Sequence, residues 1–70
     1  MITKNDLKLG KSIKTLRKKS GLTQQELADK VRVSQKYIQL LESAKRVPSL
    51  KLLYKIADAL KVGVRDLLNF

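Results

Sequence analysis

The chain has 70 residues, with sixteen Lys and Arg against six Asp and Glu, a net charge of +10, and neither cysteine nor histidine. That length allows one small domain, spanning residues 1–70, with a thin stability margin. Without cysteine there is no disulfide or thiolate metal site, and without histidine the commonest general base and metal ligand are gone, so no enzyme, metal or cofactor chemistry is expected.

Helical spacing of apolar residues, broken by caps, predicts a series of short helices. The first runs from about Asp6 to Ser20, with Leu9, Ile13 and Leu16 on one stripe and Gly21 ending it in the left-handed conformation. Thr23 caps the second, and Thr23-Gln24-Gln25-Glu26 reads as a capping box. Leu27, Ala28 and Val31 supply its inward face, and it stops near Val31 or Arg32. Ser34 caps the third, from Gln35 to about Ser43, with Ile38 and Leu41 inward and Val33 as a staple before it. A basic loop from Ala44 to Val47 follows, restrained by Pro48. Ser49 caps the fourth helix, Leu50 to about Leu60, where Leu53, Ile56, Ala57 and Leu60 recur at i, i+3, i+4 and i+7. Gly63 marks a turn into a fifth, from about Val64 to Asn69, carrying Leu67 and Leu68. No segment alternates with period two, so the expected fold class is all-α, a compact bundle of five helices. No apolar run approaches the ~18 residues of a membrane span, and no signal peptide is evident, so a cytoplasmic protein is expected.

The basic charge balance points to a polyanionic partner, double-stranded DNA first and an anionic membrane surface second. The second and third helices, joined by a tight turn, read as a helix-turn-helix over about residues 24–43, in which one helix enters the major groove and its neighbour sets the angle. Gln35, Lys36, Gln39, Leu40 and Ser43 form the outward edge of the third helix. Gln pairs with adenine N6 and N7, and Lys reaches guanine O6 and N7, so Gln35 and Lys36, at the start of the helix, are expected to read bases, while Gln39 is either a base contact or an ordinary solvated side chain. Leu40 either covers a thymine methyl or is a lone surface leucine. Phosphate contacts are expected from Gln24 and Gln25 at the start of the second helix, and from Lys45 and Arg46 in the loop. Tyr37 either offers its hydroxyl to a phosphate or packs on the turn.

From Leu9 to Leu68 the chain resembles the phage-repressor/Cro type of helix-turn-helix domain, the Xre-like family. The resemblance is carried by Leu9-Gly10, Ile13, Leu16-Arg17, Gly21-Leu22-Thr23-Gln24, Glu26-Leu27-Ala28, Val33-Ser34, Tyr37-Ile38, Leu41-Glu42, Lys45-Arg46, Pro48-Ser49, Leu53, Ile56-Ala57, Leu60 and Val62. It implies a five-helix domain of the lambda-repressor type that binds DNA, usually as a dimer on a palindromic operator. It also implies base reading from Gln35, Lys36, Gln39 and Leu40, and a phosphate held by Gln24. Arg17 and Glu42 match a pair that in this family joins the first helix to the end of the third. Arg32 and Ala44 stand where the family usually has glycine, Gly63 where it has a Ser or Thr cap, and Val47 where it often has Asn. Arg32 therefore either adopts a strained positive φ or gives a different turn.

One 70-residue copy would contact one half-site, so a homodimer is expected, with Val47, Leu52, Val62, Val64, Leu68 and Phe70 as candidate contacts. The leading expectation is a transcriptional regulator, a repressor that blocks polymerase. The alternative is an antitoxin or adaptor acting through a protein partner, in which Leu40, Leu52 and Leu68 would matter more than Gln35.

Overall fold

The computed structural model describes residues 3–69. In these residues five helices follow one another with only turns and short loops between them: α1 (Lys4–Lys19), α2 (Gln24–Val31), α3 (Gln35–Glu42), α4 (Leu50–Leu60) and α5 (Val64–Leu68). The bounds of α4 match the expectation. α1 begins two residues before Asp6, because Asp6 is the third position of a capping box and not the cap. Thr3 Oγ1 accepts from the Asp6 N–H at 3.1 Å, and the Asp6 carboxylate accepts from the Thr3 N–H at 3.0 Å. α3 ends one residue before Ser43 and α5 one before Asn69, which serve as their C-caps.

Each helix contributes a fully buried side chain to one core: Ile13 from α1, Leu27 from α2, Ile38 and Leu41 from α3, Ile56 from α4 and Leu67 from α5. Ala28 is buried among them, its small side chain letting neighbouring helices approach. α2 packs on both α3 and α4, α1 packs on α3 and α5, and α5 closes against α4. Leu16 and Val33 are half-buried against this core. The molecule measures 28 × 23 × 21 Å.

The ends of α1 to α4 are built alike. A residue in the left-handed conformation follows each helix, and the next N–H bonds back five residues: Leu22 to Arg17, Val33 to Ala28, Lys45 to Leu40, and Val62 to Ala57, at 2.9–3.2 Å. The left-handed residues are Gly21 (φ 74°), Arg32 (φ 61°), Ala44 (φ 62°) and Lys61 (φ 59°). Arg32 thus takes the positive φ rather than reshaping the turn. A side chain in this region costs about 1–2 kcal/mol relative to right-handed backbone. Among the described residues there are three such side chains, Arg32, Ala44 and Lys61. α5 has a weaker start: the Gly63 N–H donates to Asp66 Oδ2 at 2.9 Å, but Gly63 has no side chain to return the bond.

Candidate nucleic-acid interface

α3 is positioned from both ends. At its start, Ser34 Oγ accepts from the Tyr37 N–H at 3.1 Å, and Val33 seats the turn on the core. At its end, two contacts tie it to α1. Gly10 lies so close that a Cβ there would stand 2.7 Å from the Leu41 carbonyl oxygen and 2.9 Å from that of Glu42. Below it, Arg17 meets Glu42 through two hydrogen bonds, Nε to Oε2 at 2.6 Å and Nη2 to Oε1 at 3.1 Å. The remaining Arg17 donor Nη1 bonds the Leu22 carbonyl at 2.8 Å. The two side chains are 8% and 4% exposed, so the pair is buried and bidentate, the geometry in which an Arg–carboxylate contact is strongest.

Gln24 joins the same corner. Its Nε2 donates to Glu42 Oε1 at 3.1 Å. A carboxylate only accepts, so Glu42 fixes which end of the Gln24 amide is nitrogen. One Nε2 hydrogen is held by Glu42, and the second remains for an outside acceptor. The backbone N–H groups of Gln24 and Gln25 have no acceptor among the described residues, since the Thr23–Glu26 box takes the N–H groups of Thr23 and Glu26. Those hydrogen bonds from Thr23, backbone first and hydroxyl second, hold the Glu26 carboxyl below its ordinary pKa. The Gln25 side chain is turned away, donating from Nε2 to Asp29 Oδ1 at 2.8 Å.

Along α3, Gln35, Lys36, Gln39 and Ser43 are exposed, while Leu40 is half-buried. The outward edge is therefore polar with one apolar side chain recessed in it, a correction to the fully exposed stripe expected. Gln35, Lys36 and Gln39 make no side-chain hydrogen bond within the described residues. Tyr37 is half-buried against the core, facing the side of α3 toward α4. Lys45 and Arg46 are exposed beyond the end of α3, their backbone N–H groups bonded to the Leu40 carbonyl at 2.9 and 3.2 Å. That pairing fixes the path of the loop and leaves both cationic side chains in solvent.

The candidate dimer residues separate into two sets. Leu52, Val62 and Val64 are half-buried against the core, whereas Val47 and Leu68 are exposed; Phe70 lies outside the described residues. Leu7, Leu50 and Tyr54 are exposed as well, Leu50 at 65% and Tyr54 at 58%. Leu50 and Tyr54 stand one turn apart on α4. Leu7, Leu50 and Tyr54 carry no periodicity signal of their own: all three lie off the buried stripes of α1 and α4.

No helix among the described residues is long and apolar enough to cross a membrane. Residues 13–67 match the profile of the family described as helix-turn-helix. An uncharacterized HTH-type transcriptional regulator of Archaeoglobus fulgidus is 47% identical over 58 residues, covering 83% of each chain. The crystal structure of the clp gene regulator ClgR from C. glutamicum superposes with a TM-score of 0.91 at 32% identity, over 99% of this chain and 88% of that one. SinR, the master regulator for biofilm formation, solved in complex with DNA, superposes at a TM-score of 0.80 and 36% identity, over 86% of this chain and 97% of that one. These relatives are regulators and not enzymes, and the chain belongs to the same helix-turn-helix family of DNA-binding transcription regulators.

Proposed function

We propose that this chain is a sequence-specific repressor that occupies a palindromic operator as a homodimer in the cytoplasm. The observation that carries the reading is the outward edge of α3. Gln35, Lys36 and Gln39 are exposed, have no side-chain partner among the described residues, and sit on a helix whose two ends are fixed to the core. An edge of this kind suits base pairs, since bidentate Gln–adenine and Lys–guanine contacts need donors and acceptors that are free and held at a constant angle. Leu40, recessed beside Gln39, suits a thymine methyl.

The flanking groups suit the sugar-phosphate backbone. The free Nε2 hydrogen of Gln24 and the N–H groups of Gln24 and Gln25 all belong to the start of α2, where the helix dipole favours an anion. Lys45 and Arg46 add cationic contact beyond the end of α3, and Tyr37 a hydroxyl. DNA bound to SinR supports this reading, because its fold superposes on this chain over nearly its whole length.

A molecule 28 Å long covers one half-site, and half-sites one turn apart lie about 34 Å centre to centre. Val47 and Leu68, with Leu50 and Tyr54, offer apolar surface for a two-fold contact.

Selection of bound duplexes from a randomised pool, followed by fluorescence anisotropy, tests the proposal. Recovery of a palindromic motif is expected, bound at least about 10³-fold more tightly than scrambled duplex. Equal affinity for both duplexes at moderate salt contradicts specific reading, and a recovered motif without two-fold symmetry contradicts the dimer.

A further inference from the structure

The positive charge of the chain is not spread evenly. α1 holds six lysines, Lys4, Lys8, Lys11, Lys14, Lys18 and Lys19, all exposed, and a single acid, Asp6, whose carboxylate accepts the Thr3 N–H. Lys4, Lys8, Lys11 and Lys18 follow i, i+4, i+7 and i+14, a stripe on the side of the helix away from Leu9 and Ile13. Like charges three and four residues apart destabilise a helix, and Lys4 opens α1 where the dipole disfavours a cation. The one ion pair among the described residues is Arg17–Glu42, so no carboxylate relieves this stripe. The stripe borders a groove. α3 lies against the Gly10 and Arg17 side of α1, and α5 against the Leu16 side. Between α1 and α5 a groove of about 280 Å³ opens, with Lys8, Lys11 and Thr15 on one lip, Asp66 and Asn69 on the other, and half-buried Leu16 as an apolar floor. Asp66 Oδ2 accepts the Gly63 N–H, which leaves Oδ1 for an outside donor.

We infer that the α1–α5 groove docks an acidic amphipathic helix of a protein partner, on the side of α1 away from α3 and therefore independently of the base-reading edge. The groove is smaller than the ~300–1,000 Å³ of small-molecule sites, so it suits a side chain of a larger partner. The lysines repeat at helical spacing, and a second helix laid beside α1 brings carboxylates to them at the same spacing, as flanking charges do between paired helices. In that pose carboxylates face Lys8 and Lys11, an apolar side chain covers Leu16, and a donor meets Asp66 Oδ1. The mixed lining disfavours other polyanions. A duplex or a layer of anionic lipid headgroups presents negative charge to both lips, where Asp66 repels it, and neither seats an apolar side chain on Leu16. A second copy of this chain in a two-fold contact here would set the same lysines against each other.

The test uses the full chain. A displayed library of helical peptides is selected on wild type, and recovered helices are expected to carry Glu or Asp beside apolar residues at i and i+4. The tightest of them, synthesised and titrated by NMR, is expected to move the amide resonances of Lys8, Thr15, Leu16 and Asn69 and to leave those of Gln35 and Gln39 in place. Lys8→Glu with Lys11→Glu is expected to weaken it about tenfold or more, with an unchanged circular dichroism spectrum, since both side chains are exposed. Thr15→Arg separates docking from attraction to charge alone. It adds a cation but fills the groove, so docking is expected to weaken, whereas simple charge attraction would strengthen. The selected duplex at saturation is expected to leave the peptide affinity unchanged, as for uncoupled sites. Recovered helices without acidic residues, resonance changes confined to α3, or tighter binding by Thr15→Arg overturn the inference. Displacement of the peptide by scrambled duplex or by phosphatidylserine vesicles also overturns it, in favour of a nucleic-acid or lipid surface. A chain that docks the peptide and binds no duplex defeats the base-reading proposal alone, whereas one that reads a duplex and docks no acidic helix defeats this inference alone.

Discussion

The chain carries one pair of glutamines on α2 and another on α3, and the two pairs are treated in opposite ways. Gln24 and Gln25 have their amides engaged, by Glu42 and Asp29. Gln35 and Gln39 are exposed, with no side-chain partner among the described residues. Polar groups satisfied inside the protein stabilise one geometry, while polar groups left unsatisfied at a fixed angle serve an outside partner. The same residue type thus braces the scaffold at one site, where Gln24 keeps one hydrogen for a phosphate that carries no sequence information, and reads bases at the other, so substitutions at the two sites should separate stability from specificity.

The largest effect is expected at the buried corner. Arg17→Ala or Glu42→Ala leaves the partner charge buried and unpaired, at a cost of about 3–5 kcal/mol. In so small a domain that exceeds much of the folding free energy, so urea or thermal denaturation should find the variant largely unfolded near room temperature. Replacing both residues by apolar ones of similar volume should cost far less, because neither charge is then stranded. Gly10→Ala comes next: its Cβ would press on the backbone carbonyls of Leu41 and Glu42, which cannot swing aside as a side chain would. A loss of about 1–3 kcal/mol is expected, together with weaker DNA binding, since the end of α3 must shift.

The recognition edge should respond in the converse way. Gln35→Ala and Gln39→Ala are expected to change stability by less than about 0.5 kcal/mol. Each should remove about 1–3 kcal/mol of discrimination at one base pair, read by anisotropy on single-base variants of the selected duplex. The smallest expected effect is at Glu26. Its carboxyl is held below the ordinary range by hydrogen bonds from Thr23, so its contribution is full at neutral pH and is lost as pH falls through the folded-state value. Melting curves of wild type and Glu26→Gln should accordingly converge in acid and separate toward neutrality.

What the sequence revealed follows from which signals are local. Caps and stripes are local, so Thr23, Ser34 and Ser49 marked the starts of α2, α3 and α4, and the spacing from Leu53 to Leu60 marked the buried face of α4. Thr3 carries the same signal, but with Asp6 at the third helical position, and reading Asp6 as the start shortened α1. Contacts between distant positions leave no such mark. Nothing in the periodicity places Gly10 against the Leu41 carbonyl, or Gln24 beside Glu42, 18 positions away. The Arg17–Glu42 pair was legible through family resemblance and not through spacing. Leu40 was assigned to the outer edge by helical angle, yet the neighbouring loop, where Lys45 and Arg46 bond the Leu40 carbonyl, accompanies its partial burial. The exposure of Leu50 reflects its place in the first turn of α4, ahead of Leu52 and Leu53, the first of its side chains to meet the core.

The central claim, that the free edge of α3 reads bases while the tied corner holds it in place without reading them, is tested most directly by a base-by-base affinity profile. Wild type and Gln35→Ala would be titrated against every single-base variant of the selected duplex at one fixed salt concentration. The account predicts profiles that coincide except at one position, where the variant no longer distinguishes the bases, with melting temperatures that agree. Profiles that superpose at every position, or that fall by the same factor throughout, would contradict it.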